Sequence, residues 1–195
     1  QIIIHLDGAK TLKDNAARFY KLYNKAKIAR NKLTELIEDS KIMKDYFDQV
    51  LYSLNSARTV AELLEISPEV LEQKKDNHTK TNSVTEILHF DLDDGSRIYI
   101  GKNNKQNDYI VSKLASDEDF WFHVHNCAGS HILLKSQNVT DELILKCAKL
   151  AKEYSSVKDS SKIGVIYTKR KYLRKPPAAA LGYVTYKNEK EIILD

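Results

Sequence analysis

The segment from Gly101 to Asp108 concentrates amide side chains within a few positions. Three asparagines and one glutamine lie here, directly after a predicted strand and before a predicted helix. Such side chains donate and accept hydrogen bonds, and this chemistry reads base edges and sugar or phosphate oxygens. The alternative is a turn that caps the helix, because asparagine and aspartate cap helices and tolerate left-handed turns. The segment is not a P-loop, since it lacks the second glycine and the Gly-Lys-Ser/Thr ending.

A second group of side chains, between Trp121 and His131, combines aromatic rings, imidazoles and a thiol. On an extended strand His123, His125 and Cys127 point to one side and supply the ligand types of a zinc site. A tetrahedral site normally takes its ligands from two separate elements, and the sequence offers no second cluster, so we predict no metal. The competing interpretation is a platform on which bases or ribose stack. In the simplest interpretation the aromatic residues belong to the core and the histidines are partly exposed.

A catalytic pair formed by Cys127 with His125 or His131 is a further alternative. Such a pair is normally assembled from separate elements and oriented by a third group. Neighbours on one short strand do not provide that arrangement. We therefore predict that the protein is not an enzyme.

The stretch from Lys158 to Lys175 carries seven basic residues and one acid, Asp159, which gives a local charge near +6. Tyr167 and Tyr172 are interleaved with the basic residues. An excess of positive charge of this kind suits a phosphate backbone. Charged runs are also common on solvated faces, and the sequence leaves both interpretations open. The two prolines that follow hold the next residues extended, and a stiff segment favours binding.

The composition of the whole chain limits its class. Its 195 residues are 42% hydrophobic and 30% charged, with a formal net charge of +4, which suits one ordinary domain and a smaller companion. Two cysteines, Cys127 and Cys147, are too few for a disulfide framework and favour a reducing compartment. We expect no membrane insertion and no signal peptide, because no apolar run is long enough. Because the chain starts at Gln1 rather than Met, we expect it to be a fragment.

The first third of the chain, residues 1–66, is predicted to be a helical hairpin of the coiled-coil type. Apolar side chains recur at helical spacing over Ala16–Leu36, and Ser40 is predicted to cap a second helix. The apolar residues of Met43–Ala57 step by four, three, four and three, which is the seam of a coiled-coil pair. This seam closes within the chain or between two chains. A polar composition predicts a linker over residues 67–83.

Residues 84–195 carry β-rich patterns and are predicted to form one α+β domain. A turn at Asp93–Ser96 joins two alternating runs into a hairpin. The sheet is expected to be mainly antiparallel, with two helices on one side. The predicted strands are 87–92, 97–100, 121–125, 132–135, 163–168, 182–186 and 191–194, and the predicted helices are 107–115 and 141–154.

Several of these motifs, in this order, resemble the NFACT-R domain of the NFACT family. The matching motifs are Asp94-Gly95, Gly101-Lys102-Asn103-Asn104, Gln106-Asn107-Asp108, Trp121-Phe122-His123-Val124, Gly129-Ser130-His131 and Tyr172-Leu173-Arg174-Lys175-Pro176. The first third resembles the helical middle region that precedes this domain in bacterial members, through Leu6-Asp7, Asn15-Ala16 and Tyr20-Lys21-Leu22-Tyr23-Asn24-Lys25. The chain departs from the family at residues 178–182, where a Gly-Ala-Lys-Pro-Gly-like run is usual. The resemblance covers nearly the whole chain.

This resemblance implies an RNA-binding module of a ribosome quality-control factor, located in the cytoplasm on the ribosome. It implies tRNA and the large ribosomal subunit as partners, and a role in adding alanine tails to stalled nascent chains. The residues implied for the RNA face are Lys102, Asn103, Asn104, Asn107, Trp121, His123, Ser130 and His131. The residues implied for phosphate contacts are Lys169, Arg170, Lys171, Arg174 and Lys175.

Two alternatives come from other functional classes. Gram-positive members of the family are named as fibronectin- or fibrinogen-binding proteins, which implies a surface-associated adhesin that binds these host proteins. A zinc-dependent enzyme that uses His123, His125 and Cys127 is a weaker alternative. We predict no cofactor.

Overall fold

The computed structural model of the protein describes residues 2–71, 84, 86–177 and 179–195. The chain divides into two compact units, Gln1–Lys44 and Asp45–Asp195. The first helix, α1, spans Leu12–Ser56 and contributes to both units. None of the helices in the described ranges has both the length and the apolar character that a membrane span requires.

The helix α1 is continuous, and the predicted break at Ser40 is wrong. The hydroxyl of Ser40 donates to the carbonyl oxygen of Leu36 at 2.7 Å, so it is satisfied inside the helix and does not cap a new one. In the first turn of α1, the side chain of Asn15 forms hydrogen bonds to the backbone of the turn that precedes the helix. Its Oδ1 accepts from the N–H of Asp7 at 2.9 Å, and its Nδ2 donates to the Asp7 carbonyl oxygen at 3.1 Å.

The second helix, α2, spans Val60–Val70 and begins with a capping box. The N–H of Glu62 donates to Thr59 Oγ1 at 3.2 Å, and the N–H of Thr59 donates to Glu62 Oε2 at 3.2 Å. The first residues of the predicted linker, from Ser67 to Val70, belong to this helix. Residues 72–83 of the linker lie outside the described residues, so the domain boundaries remain predictions.

The predicted coiled-coil seam is covered over only part of its length. Val50 is buried, whereas Met43 is 55% exposed and Phe47 is 57% exposed. Within the second unit α1 contacts α2, since the Tyr46 hydroxyl donates to Glu69 Oε2 at 3.1 Å. Burial raises the pKa of Tyr46 to about 12, which keeps this hydroxyl protonated as a donor.

Six strands form the main sheet, and all neighbouring pairs are antiparallel. The strands of the described residues are β1 (Leu88–Asp91), β2 (Arg97–Ile100), β3 (Phe120–Val124), β4 (Ile132–Lys135), β5 (Ile163–Lys169), β6 (Leu173–Arg174), β7 (Thr185–Tyr186) and β8 (Lys190–Leu194). The order in the main sheet is β1-β2-β4-β3-β5-β8, while β6 and β7 pair separately. The α+β fold with a mainly antiparallel sheet is confirmed. The predicted strand 182–186 is reduced to its last two residues.

Two further helices complete this part of the chain. The helix α3 spans Asn104–Tyr109 and continues into a π-helical turn at Ile110–Leu114. It therefore begins three residues before the predicted position 107. The helix α4 spans Asp141–Glu153, close to its predicted bounds.

The two helices lie on opposite faces of the sheet, and the expectation that both lie on one side is wrong. On one face Cys147 of α4 packs in a core with Phe122. On the other face Ile110, in the π-helical turn after α3, packs with Trp121 and Leu133. Because β3 places a large, fully buried aromatic side chain on each face, both faces need a cover.

Candidate nucleic-acid interface

The segment Gly101–Asp108, called the amide loop below, is folded by its own side chains. Asn103 caps α3, since its Oδ1 accepts from the N–H of Gln106 at 2.9 Å. The Oε1 of Gln106 accepts from the N–H of Lys102 at 3.0 Å. The interpretation as a helix-capping turn is confirmed, and these two amide oxygens are used inside the loop.

The asparagines of the amide loop are buried. Asn103 and Asn104 are 2% exposed, and Asn107 is 1% exposed. Asn107 joins the loop to the sheet, because its Oδ1 accepts from the N–H of His131 at 3.0 Å. In this conformation the three asparagines are not exposed to solvent, and whether they contact RNA stays a prediction.

A glutamate of α2 covers the middle of the amide loop. Glu65 is 8% exposed, and its Oε2 accepts from Asn103 Nδ2 at 2.8 Å and from Gln106 Nε2 at 3.1 Å. Its other oxygen, Oε1, lies 4.0 Å from Lys105 Nζ. A carboxylate only accepts hydrogen bonds, so the amide NH2 groups must face it.

Two more glutamates flank Glu65 on the same face of α2, at helical spacing. Glu69 Oε2 accepts from Asn104 Nδ2 at 2.8 Å, and Glu62 Oε1 pairs with Lys102 Nζ at 3.0 Å. Burial raises the pKa of Glu69, whereas hydrogen bonds, above all the one from the N–H of Arg58, lower the pKa of Glu62. The amide loop is thus matched by a row of three carboxyl groups.

Three aromatic rings form a cluster beside the amide loop, on the face of the sheet that carries Trp121. The rings of Trp121 and His123 are nearly parallel, with centroids 5.8 Å apart. His131 meets both rings edge-on, at 5.1 Å from Trp121 and 5.2 Å from His123. Trp121 and His131 are buried, so the predicted stacking platform is closed in this conformation. The interpretation of Trp121 as a core residue is confirmed.

The two imidazoles of this group are neutral near pH 7. Burial lowers the pKa of His123 to about 4 and lowers the pKa of His131 well below its ordinary value. His123 Nε2 lies 3.3 Å from the carbonyl oxygen of Gly129, which accepts a hydrogen bond in the tautomer that carries its proton on Nε2. Two buried ring nitrogens, Trp121 Nε1 and His131 Nδ1, have no hydrogen-bond partner among the described residues. The neutral rings provide no charge for a phosphate.

The residues considered as zinc ligands contact different groups instead of one another. His125 lies beyond the end of β3, and its Nδ1 is 2.7 Å from Glu191 Oε1. Asn126 then takes a left-handed conformation with φ of 55°, and Cys127 packs against the core under α4. In the described ranges there is no group of three or more His, Cys, Asp or Glu side chains that could hold a metal ion.

The predicted phosphate-contacting residues lie at the end of β5, in the turn that follows it, and at the end of β6. They are Lys169, Arg170, Lys171, Arg174 and Lys175, called the basic segment below. Glu118 pairs with two of them, Lys169 at 2.7 Å and Lys171 at 2.6 Å. The hydrogen bond from Lys169 is the largest of the causes that lower the pKa of Glu118 to about 2.

Two more acidic residues, Asp117 beside Glu118 and Asp108 of α3, also reach the basic segment. Arg170 Nη1 lies 3.7 Å from Asp117 Oδ1, and Lys175 pairs with Asp108. Arg174 is exposed and has no side-chain partner among the described residues. Counted with Asp108, Asp117 and Glu118, the five cations keep a net charge of +2. The acidic partners, which lie outside the stretch Lys158–Lys175, therefore lower the charge of the basic segment below what its own five cations supply.

Sequence reasoning missed the acidic residues on both sides of the site. The pairing of β3 with β5 sets Phe120 opposite Lys169, which brings the preceding Glu118 to the basic segment. A predicted pairing of these strands would have shown this. The spacing of Glu62, Glu65 and Glu69 was the available signal for an acidic face on α2.

The comparisons with known proteins agree with the resemblance. Residues 86–188 match the family described as NFACT protein RNA binding domain, and residues 1–85 match NFACT N-terminal and middle domains. The chain is 32% identical to the Rqc2 homolog RqcH of Bacillus subtilis over 99% of its own length and 35% of that relative. It is 34% identical to the Rqc2 homolog RqcH of Streptococcus suis, over 98% of its own length and 36% of that relative. The chain thus spans about a third of the length of these two relatives.

A solved structure shares the fold. It is the C-terminal part of the fibronectin/fibrinogen-binding protein from Streptococcus suis, with a TM-score of 0.80 and 32% identity. The match covers 94% of this chain and 76% of that one. The family matches and this structure confirm the resemblance drawn from the motifs. The chain belongs to the NFACT family, and residues 86–188 are its RNA-binding domain.

Proposed function

We propose that residues 86–188 bind RNA and that the basic segment contacts the phosphate backbone. The match of these residues to the NFACT protein RNA binding domain carries this proposal. The basic segment supports it with a surface of net positive charge. Ion pairs at the surface, such as those with Glu118, are weak in water, so phosphate oxygens can replace the carboxylate. Arg174 has no described carboxylate to displace, and we expect it to contribute strongly.

We propose that the full-length protein acts in ribosome quality control in the cytoplasm. In this proposal it engages tRNA and the large ribosomal subunit and supports alanine tailing of stalled nascent chains. Similarity to the Rqc2 homolog RqcH of two bacteria supports it. The part described here would supply RNA contacts, while other parts of the protein would act with it.

We propose further that this part of the protein acts by binding rather than by catalysis. Burial raises the pKa of the Cys127 thiol, which disfavours the reactive thiolate. His123 and His131 are held neutral by burial, and His123 is already engaged with a backbone carbonyl. Metal analysis of the purified protein tests the zinc-dependent alternative, and stoichiometric zinc would contradict our proposal.

Binding of a host protein is the second candidate function. The solved relative from Streptococcus suis is described as part of a fibronectin/fibrinogen-binding protein. The basic segment would also suit an acidic protein surface. If immobilised fibronectin captures the chain while tRNA and ribosomal subunits do not bind, this candidate takes precedence.

A salt series with tRNA and with large ribosomal subunits tests the RNA proposal. The test variant changes the exposed residues Lys171, Arg174 and Lys175 to Ala, and the control variant changes the exposed residues Lys146, Lys149 and Lys190 to Ala. The logarithm of the binding constant falls linearly with the logarithm of the salt concentration, and each lost phosphate contact makes this slope shallower by about 0.7–0.9. We expect the slope to become shallower by about 2–3 in the test variant only. Equal slopes in both variants would rule out the basic segment as the phosphate contact.

A further inference from the structure

The amide loop turns hydrogen-bond donors towards α2. Asn103 and Gln106 use their side-chain oxygens to accept from backbone N–H groups of the loop. Their NH2 groups then face Glu65, and the ammonium groups of Lys102 and Lys105 point to the same row of carboxylates. A fixed set of donors with charged members is suited to anionic oxygens.

The contacts of α2 with this set of donors are mostly polar. Within α2 the buried residues are Glu65 and Ile66. Its other large apolar side chains are exposed, with Val60 at 73% and Leu64 at 67%. Little apolar area is therefore removed from water when α2 sits on the loop. An anion that satisfies the same donors would replace the polar contacts between α2 and the amide loop.

We propose that the amide loop is an anion-binding site for RNA phosphodiester oxygens and that α2 occludes it with Glu62, Glu65 and Glu69. This inference rests on the RNA binding proposed above and adds a regulatory step to it. Exchange of carboxylate for phosphate oxygens keeps the donors satisfied, so neither state leaves them buried and unpaired. RNA reaches this site only in molecules in which α2 has left the amide loop. The apparent affinity for RNA is therefore the intrinsic affinity multiplied by the fraction of such open molecules.

Neutral glutamines in place of two α2 glutamates test the occlusion. In the 195-residue chain, Glu65→Gln with Glu69→Gln brings side-chain NH2 groups against the donors of the loop and weakens docking. The control, Glu142→Gln with Glu153→Gln, removes the same charge from exposed positions of α4. We expect the affinity for tRNA to rise about tenfold in the first variant and less than about twofold in the control. Equal affinities in the two variants would overturn the inference.

Hydrogen exchange on the unmodified chain tests the displacement directly and does not depend on how a variant folds. We expect saturating tRNA to accelerate exchange of the α2 amides, residues 60–70, while amides of α4 stay protected. Unchanged or slower exchange in α2 on tRNA binding would refute displacement. Equal acceleration by inorganic phosphate at the same phosphate concentration would overturn the assignment to RNA.

The two proposals fail in different ways. If tRNA does not bind the unmodified chain or the Glu65→Gln, Glu69→Gln variant, the proposed function fails. If tRNA binds and the change of Lys171, Arg174 and Lys175 to Ala weakens it, while α2 exchange stays the same, only the occlusion by α2 is overturned.

Discussion

Replacing Gly101 by Ala tests how closely the amide loop is fitted to the sheet. A Cβ at this position would clash with Asn107 Oδ1 and would lie 3.0 Å from both Asn107 N and Ile110 Cδ1. The first two contacts belong to the first turns of α3, and one of them is backbone. The side chain of Asn107 must therefore move, and the start of α3 must shift with it.

The magnitude follows from what these movements break. The Oδ1 of Asn107 accepts from the N–H of His131, and leaving a buried group of this kind unpaired costs about 1–3 kcal/mol. Overpacking adds about 1–3 kcal/mol. The lower entropy of alanine in the unfolded chain offsets about 0.4–1 kcal/mol. We expect Gly101→Ala to lower the free energy of unfolding by about 2–4 kcal/mol.

Urea denaturation followed by circular dichroism measures this change. Gly8→Ala is the matched control, because an added Cβ there meets no atom within 4 Å. We expect the control to stay within about 0.5 kcal/mol of the unmodified chain. If the free energy of unfolding of Gly101→Ala also stays within that margin, the close approach of Gly101 to α3 is wrong. The account of Asn107 as the link between the amide loop and the sheet is then wrong too.

Two further predictions concern buried titrating groups. Because burial lowers the pKa of His123 from 6.5 to about 4, the fold favours the neutral ring; this stability is fully present above the ordinary pKa and is lost as pH falls towards 4. Burial also lowers the pKa of His131, so the total loss of stability between pH 7 and pH 4.5 exceeds the share of His123, which is about 2–3 kcal/mol. We expect urea denaturation to show a loss smaller by about this amount in His123→Gln, and an equal loss in both proteins would contradict the assignment. Burial also raises the pKa of Cys147 to about 12, so a thiol reagent should modify Cys127 in the native chain and Cys147 only on unfolding; two fast thiols would contradict this.

The features that the sequence predicts well are local ones. The hairpin around Asp93–Ser96 follows from alternation and a turn motif, and β4 is found at its predicted bounds. The cap formed by Asn103 also follows from residues a few positions apart. In each case neighbours in the chain decide the structure, so a single sequence contains the required information.

The features that the sequence predicts poorly depend on distant partners. The amide loop is buried because Glu62 and Glu65, about 40 positions earlier, lie across it. The charge of the basic segment is reduced because Glu118, about 50 positions earlier, folds beside Lys169. The continuity of α1 at Ser40 is a different case, since a serine hydroxyl can cap a helix or bond within it. Composition alone does not choose between these outcomes.

The stack of Trp121 on His123 makes the domain its own optical reporter. Trp121 is the only tryptophan of the chain, so emission excited at the red edge of the absorption band comes from one place in the sheet. A buried indole beside a neutral imidazole should emit at short wavelength, and a protonated imidazole would quench it. Exposure of Trp121 to water on unfolding would therefore appear as a red shift of its emission. Protonation of His123 in the folded protein would instead appear as quenching with no red shift. The same single ring would tell the two events apart without any label.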